Sequence, residues 1–315
     1  MKVSFPRKKH LFLFAGAVVA LGFAPLGWTM AHTETLYVDR NADGASSDGS
    51  KDHPYQQIGD ALDHAKDGDQ VLVAKGTYKE SIKIPKGVAL LSETANRSDV
   101  TIEGGSRKAT VTMSHGSKLS YITVRHGLQG VFAKKDANVQ LYDVLVRGAE
   151  RDGIYLSSAP SDKRHRAYID KVEVRDSGMS GIFSESRFVD IVGSDIHDNR
   201  SDGIDFLANV AAWLENDRVH DNKASGWKVV LDGSEIWTKN DDFRRNGHEG
   251  VQVESNGGTG SFGLKKSKEV DNGRYGVALV ARNASALPMW KHIFLDTNSA
   301  FGNGIGQVSP VLFVK

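Results

Sequence analysis

The chain contains no cysteine, so disulfides cannot hold it together. Proline is scarce, at 7 of 315 residues, and the formal net charge is only +1. A near-neutral chain has no overall pull toward nucleic acid or an anionic membrane, and any charge effect must be local. Beyond residue 31 no stretch is apolar enough to span a bilayer. With 39% hydrophobic and 25% charged residues, a disordered or collagen-like chain is also excluded. Stability must therefore come from backbone pairing and packing.

What is abundant is glycine, at 33 residues, and it keeps returning in one context. A β-branched or aromatic residue is followed by polar residues, often Asn, and then by Gly with Ile, Val or Trp after it. The clearest copies are Ile196–Asn199 before Gly203-Ile204, Val219–Asn222 before Gly226-Trp227, and Phe243–Asn246 before Gly250-Val251. The markers are Gly130, Gly153, Gly181, Gly203, Gly226, Gly250, Gly276 and Gly302, in steps of 23, 28, 22, 23, 24, 26 and 26 residues. Short β-type runs at a period in the twenties indicate a coiled solenoid.

Three regions follow. Residues 1–31 read as a secretory signal peptide, with an uncleaved anchor as the alternative that Pro25 and the glycines weaken: basic Arg7 to His10, apolar Leu11 to Leu26, and small residues before a cleavage point after Ala31. Residues 32–70 hold a strand at Leu36-Tyr37-Val38, a polar loop, and a helix signalled by Ile58, Ala61, Leu62 and Ala65 at i, i+3, i+4 and i+7. That helix is expected to cover the open end of the first coil. From Val71 to the C-terminus short strands alternate with turns, without a linker or composition break. The expected localisation is secreted or periplasmic.

Tyr37, Asp48-Gly49, Pro54-Tyr55, Ile58–Leu62, Gly68-Asp69 and Gly76-Thr77-Tyr78 together resemble the N-terminal signature of right-handed parallel β-helix proteins. This is the pectin-lyase-like superfamily, which includes the NosD-type periplasmic proteins. The later repeats resemble its β-helix repeat, and the resemblance spans nearly all of the mature chain. It implies an all-β, single-stranded parallel β-helix with a short N-terminal capping helix. It says little about activity, because this scaffold hosts lyases, hydrolases, epimerases, adhesins and non-catalytic proteins.

In such a coil, equivalent positions stack about 4.8 Å apart, so rows can be written from the repeat. An amide row should run Ser177, Asn199, Asn222, Asn246, Asn272 and Asn298, with Asn accommodating the left-handed turn. Three positions earlier Val174, Ile196, Val219, Phe243 and Leu295 should fill the core; Glu269 interrupts this row without an explanation in the sequence. Two positions before the amides, Arg125, Arg147, Arg175, His197, His220 and Arg244 form an outward basic ladder that lapses at Val270 and Asp296. It reads either as a face neutralised by its neighbouring carboxylates or as a track for an acidic polymer.

Nine positions before the amides lie Tyr168, Asp190, Trp213, Trp237, Gly263 and Met289. Two further on are Asp170, Val192, Glu215, Lys239, Lys265 and Lys291. Both rows are expected to face outward, with Ile169, Ile191, Leu214, Thr238, Leu264 and Trp290 inward between them. An exposed Tyr-Trp-Trp strip beside Glu and Lys suits sugar rings and their hydroxyls or carboxylates. Asp205 and Lys228 should form a cross-coil ion pair.

By resemblance, active sites in the superfamily lie on the outer face of the first strand of each coil. Lys239 is then the candidate base, with Arg244 or Lys265 on the substrate carboxylate. Asp190 and Glu215 are the candidate pair for hydrolysis. Tyr168, Trp213, Trp237, Lys265, His197, His220 and Arg175 are the candidate substrate contacts. The chain departs from the family's catalytic patterns: it lacks the Asp-Pro-His-Asp motif of mannuronan epimerases, the Gly-His-Gly and Arg-Ile-Lys motifs of polygalacturonases, and the Trp-Ile-Asp-His element of pectate lyases.

Two readings stand side by side. One is an exported protein that binds and processes an alginate- or pectate-like polysaccharide by β-elimination or epimerisation. The other is a non-catalytic periplasmic or cell-surface β-helix that binds or builds. No zinc or copper spacing is present. Asp39–Gly44 matches half of a calcium loop, but Ser50 stands where its closing Glu would be, and a cap loop held by Asx turns explains it equally. The apolar segment Val311–Lys315 points to an end that is covered by a loop or pairs with another chain.

Overall fold

A computed structural model describes residues 33–313; the expected signal segment lies outside them. Short strands, most of three to five residues, alternate with turns, and each strand pairs in parallel with its equivalent one coil away. Three sheets result. The first has 11 strands, from Thr35–Val38 to Ile293–Asp296. The second has 10, from Gly76–Tyr78 to Ser299–Phe301, and the third has 10, from Ile82–Ile84 to Gly306–Phe313. This is the parallel β-helix that the repeat period implied.

Inward positions stack Val, Ile, Leu and Phe into one continuous core. Trp227 is its largest member, with its ring 5.7 Å from Phe206, 6.1 Å from Phe243 and 5.5 Å from Phe262. The helix spans Ile58–His64 and buries Ile58, Ala61 and Leu62. Its first N–H groups need acceptors from outside the helix. Glu80 supplies them, accepting from Ile58 N and Gly59 N at 2.9 Å each. In the preceding loop Asp39 accepts from Asn41 N at 2.9 Å, the Asx turn of a cap loop. Among the described residues no group of three or more His, Asp or Glu side chains is placed to hold a metal.

The amide row is a hydrogen-bonded ladder in which each Asn accepts from the backbone N–H of the coil before it. Asn222 N and Nδ2 reach Asn246 Oδ1 at 3.2 and 3.0 Å, and Asn246 N and Nδ2 reach Asn272 Oδ1 at 3.1 and 3.0 Å. The left-handed residue is not the Asn but the one before it: Asp176, Asp198, Asp221, Arg245 and Asp271 have φ near +50 to +57°. Asn is therefore kept here for its bonds, not for its backbone conformation.

The rows are correct through residue 272 and wrong in the last coil. The partner of Asn272 is Asn303, whereas Asn298 accepts from Ser267 N at 2.9 Å in a different turn. The strand pairing puts Phe294, Leu295, Asp296, Ala300 and Phe301 where Met289, Trp290, Lys291, Leu295 and Asp296 were expected. Leu295 is exposed and does not fill the core. Gly302 is likewise not a repeat marker, since Gly276 meets Gln307. The cause is an inserted 3-10 helix, Ala284–His292, which lengthens this coil. An Asn occurring at a repeat-like distance concealed the insertion. Around this end Phe301, Ile305, Val308 and Phe313 are exposed.

Candidate functional site

The outward rows of the first sheet have the expected register. Tyr168, Asp190, Trp213, Trp237, Gly263 and Phe294 pair in series, as do Asp170, Val192, Glu215, Lys239, Lys265 and Asp296. Trp213 and Trp237 are thus direct neighbours. They do not form an exposed strip, however: Trp213 is only 7% exposed, and Tyr168 and Trp237 are half-buried. Burial arises from contacts along the outer face itself. Trp213 Nε1 donates to Glu215 Oε2 at 3.2 Å, and Lys239 Nζ donates to Glu215 Oε1 at 2.7 Å. The Trp237 ring lies nearly parallel to Phe294, at 5.9 Å and 16°. Gly263 makes this possible, since a Cβ there would stand 2.3 Å from the indole.

Asp190, one of the candidate pair for hydrolysis, is already engaged on this face. It is 1% exposed and forms an ion pair with Arg166. The guanidinium of Arg166 lies 4.7 Å from the Tyr168 ring centroid and 5.9 Å from that of Phe188. The strand register sets Asp190 against Trp213, and Glu215 against Val192, so these carboxylates are not direct cross-strand partners. Lys265 is held by Asp296 at 2.6 Å. Arg244 is not beside Lys239: it projects from the second sheet and pairs with Asp242 at 3.0 Å.

On the second sheet the basic ladder is in register from Arg125 to Arg244. Carboxylates neutralise much of it. Arg175 pairs with Glu173 and Asp176, His197 with Glu173 and Asp198, and His220 with Asp195 and Asp221. The two imidazoles stack at 5.0 Å and 3°. The hydrogen bond to Glu173 pushes His197 up to about 9, against the effect of burial. The bond to Asp195 raises His220 as well. Both rings lie between carboxylates that favour their protonated forms, so this face is largely self-compensated.

The feature that sequence reasoning missed is the turn joining the first and second sheets. A cavity of about 370 Å³ opens there, lined by Asn216, Asp217, Arg218, Asn240, Asp241, Asp242, Lys266 and Lys268. Asn216, Asn240 and Lys266 hold left-handed backbones, with φ of 63, 64 and 54°. This fans their side chains outward. Beneath them Asp217 and Asp241 form a second, inward ladder. Asp217 accepts from Ser194 N at 2.7 Å and Glu215 N at 3.2 Å, while Asp241 accepts from Asp217 N at 2.8 Å. Burial pushes both carboxyls up, and the charge of Asp241 adds to the effect on Asp217. They therefore place less negative charge under the cavity than two exposed aspartates would. Above them Arg218 is paired with Asp195, but neither Lys266 nor Lys268 has a carboxylate partner among the described residues. The repeated Asn-Asp pair, Asn216-Asp217 and Asn240-Asp241, was the available signal.

Comparison with known proteins agrees with this architecture. The family model described as the right-handed β-helix region matches residues 129–287, and that of a protein of unknown function, DUF1565, matches residues 41–121. No curated protein matches the sequence. Among solved structures, pectate lyase Pel9A is similar with a TM-score of 0.60 at 14% identity, covering 86% of this chain and 80% of its own. The A-module of the Azotobacter vinelandii mannuronan C-5 epimerase AlgE4 has a TM-score of 0.53 at 13% identity, covering 87% and 97%. The polygalacturonase of Erwinia carotovora has 0.55 at 12% identity, covering 91% and 99%. At these identities the likeness is one of fold.

Proposed function

Because the chain belongs to the right-handed β-helix family, we propose that it is an exported protein that binds an acidic polysaccharide along the ridge between its first and second sheets. The cavity over Asp217 and Asp241, with the unpaired ammonium groups of Lys266 and Lys268 at its rim, carries this reading. A uronate carboxylate placed there gains charge-assisted hydrogen bonds without first breaking a protein ion pair. The half-buried Trp237–Phe294 surface, on strands of the first sheet beside this turn, offers apolar area for a pyranose face. The similar folds include proteins named for pectate, mannuronan and polygalacturonate, all uronate polymers. The basic and apolar N-terminal segment supports export, and no helix among the described residues is long and apolar enough to cross a membrane.

Binding is favoured over chemistry because the candidate acids and bases are already engaged: Lys239 by Glu215, Asp190 by Arg166, and Arg244 by Asp242. Retention on immobilised polygalacturonate and alginate should be clear at low ionic strength and weaken with salt. Lys266→Ala/Lys268→Ala should lower affinity about ten-fold or more, as expected for losing two charge-assisted contacts. Unchanged affinity in that variant, or no retention of the wild type on either polymer, would count against the proposal. Ultraviolet absorbance of unsaturated product, lost in Lys239→Ala, would instead make the protein a lyase.

A further inference from the structure

We infer that the third sheet carries a separate binding face for an uncharged glycan chain, distinct from the ridge proposed for acidic polymers. Strand pairing sets Phe132, Tyr155, Phe183, Asp205, Lys228 and Gln252 in one outward line across six consecutive coils. At the ordinary strand spacing this line is about 24 Å long, enough for several pyranose units. All six side chains are half-buried, so they form a surface of fixed shape.

The line has two halves of different chemistry. Phe132 and Tyr155 have ring centroids 5.6 Å apart and tilted by 36°, and Tyr155 and Phe183 follow at 5.0 Å and 31°. Tyr155 turns its hydroxyl aside onto Glu185 Oε1 at 2.5 Å, leaving this half an apolar strip. The other half is polar and braced. Lys228 Nζ lies 3.5 Å from Asp205 Oδ1, and that buried oxygen has no closer donor among the described residues. Gln252 donates to Glu254 at 2.5 Å, while its Oε1 lies 3.3 Å from Ser225 Oγ. A buried carboxylate oxygen held only by one long ammonium contact, beside a fixed amide, matches a sugar hydroxyl that can both donate and accept.

Charge decides the class of glycan. Glu185, Asp202 and Asp205 outnumber the cations Lys228 and Arg151 along this stretch, so a polymer with one carboxylate per residue would be repelled, whereas a neutral chain would not. Apolar strip and polar line together fit a molecule with an apolar ring face and hydroxyl edges.

The test uses the mature chain and four neutral probes: hexaoses of β-1,4-glucose, β-1,3-glucose, β-1,4-xylose and β-1,4-mannose. At least one should bind by titration calorimetry. Tyr155→Ala/Phe183→Ala should weaken it ten-fold or more, and Asp205→Asn, which leaves the aromatic strip intact, should weaken it at least three-fold. Retention on polygalacturonate should be unaffected by either change, and polygalacturonate should not displace the neutral hexaose. Failure of all four probes, an affinity indifferent to Asp205→Asn, or displacement by polygalacturonate each overturns the inference. Lys266→Ala/Lys268→Ala should leave neutral binding intact, so this face and the ridge can fail independently.

Discussion

Replacing Arg187 with leucine should destabilise the protein by about 3–5 kcal/mol, because three buried carbonyls lose their donors at roughly 1–3 kcal/mol each and leucine packing offsets part of the loss. Arg187 is 0% exposed, yet among the described residues no carboxylate pairs with it directly. Its guanidinium instead donates to three carbonyls: Ser157 O at 2.8 Å, His165 O at 3.1 Å, and Ala137 O. His165 lies one coil back and Ala137 two coils back, so one side chain ties three successive windings at the corner before the first sheet. Leucine would restore some apolar packing but leave the three carbonyls without these donors, at roughly 1–3 kcal/mol for each group that stays buried and unpaired. The planar fork matters as much as the charge, so Arg187→Lys should recover only part of the loss. Thermal melts should show the loss, and limited proteolysis should cut first within residues 157–166. That segment ends at Arg166, which covers Asp190, so loosening it should also open the outer face of the first sheet. A melting temperature equal to wild type in Arg187→Leu would remove this role.

Glu269→Gln should do the opposite, stabilising the fold by about 3 kcal/mol at pH 7. Glu269 stands in the inward row that Val174, Ile196, Val219 and Phe243 occupy in earlier coils, and it is 1% exposed. Its Oε1 is buried without a hydrogen-bond partner. Burial, reinforced by the charges of Asp241 and Asp242, pushes its carboxyl from 4.5 up to about 8. The sign follows from proton binding. Below pH 4.5 both folded and unfolded chains hold the proton, and nothing is lost. Between 4.5 and 8 the unfolded chain releases it while the folded chain retains it, so stability falls by ~1.4 kcal/mol per pH unit. Glutamine keeps the volume and does not titrate. The difference in melting temperature between variant and wild type should therefore grow from near zero around pH 4.5 to a maximum near pH 8. Parallel curves across that window would refute the assignment. The raised carboxyls of Asp217 and Asp241 act in the same direction, so the variant's own slope should be shallower, not flat.

The irregularity at Glu269 was visible in the sequence, but its meaning was not. A row written from a repeat states that an acid occupies a core position; it cannot state whether a partner reaches it. Trp213 shows the same limit. Its register against Trp237 followed from counting, because strand pairing makes residues one period apart into neighbours. Its burial did not, since that depends on Glu215 and the surrounding outer face folding over it. The left-handed turn residues were misassigned by one position because both Asn and Asp tolerate that conformation, and only the hydrogen bonds distinguish their roles.

The amino-acid sequence by itself determined the coil: its period, its short β-type runs, the amide ladder through Asn272, and the capping helix. These rest on local alternation and on a repeat, and both are properties of order along the chain. The tertiary structure alone decided which outward groups remain available. It paired Lys239, Asp190 and Arg244 with other residues, left Lys266 and Lys268 without carboxylate partners among the described residues beside a cavity, and moved the last coil by the length of an inserted helix. Such outcomes depend on distances between side chains from different windings, and a one-dimensional pattern does not contain them.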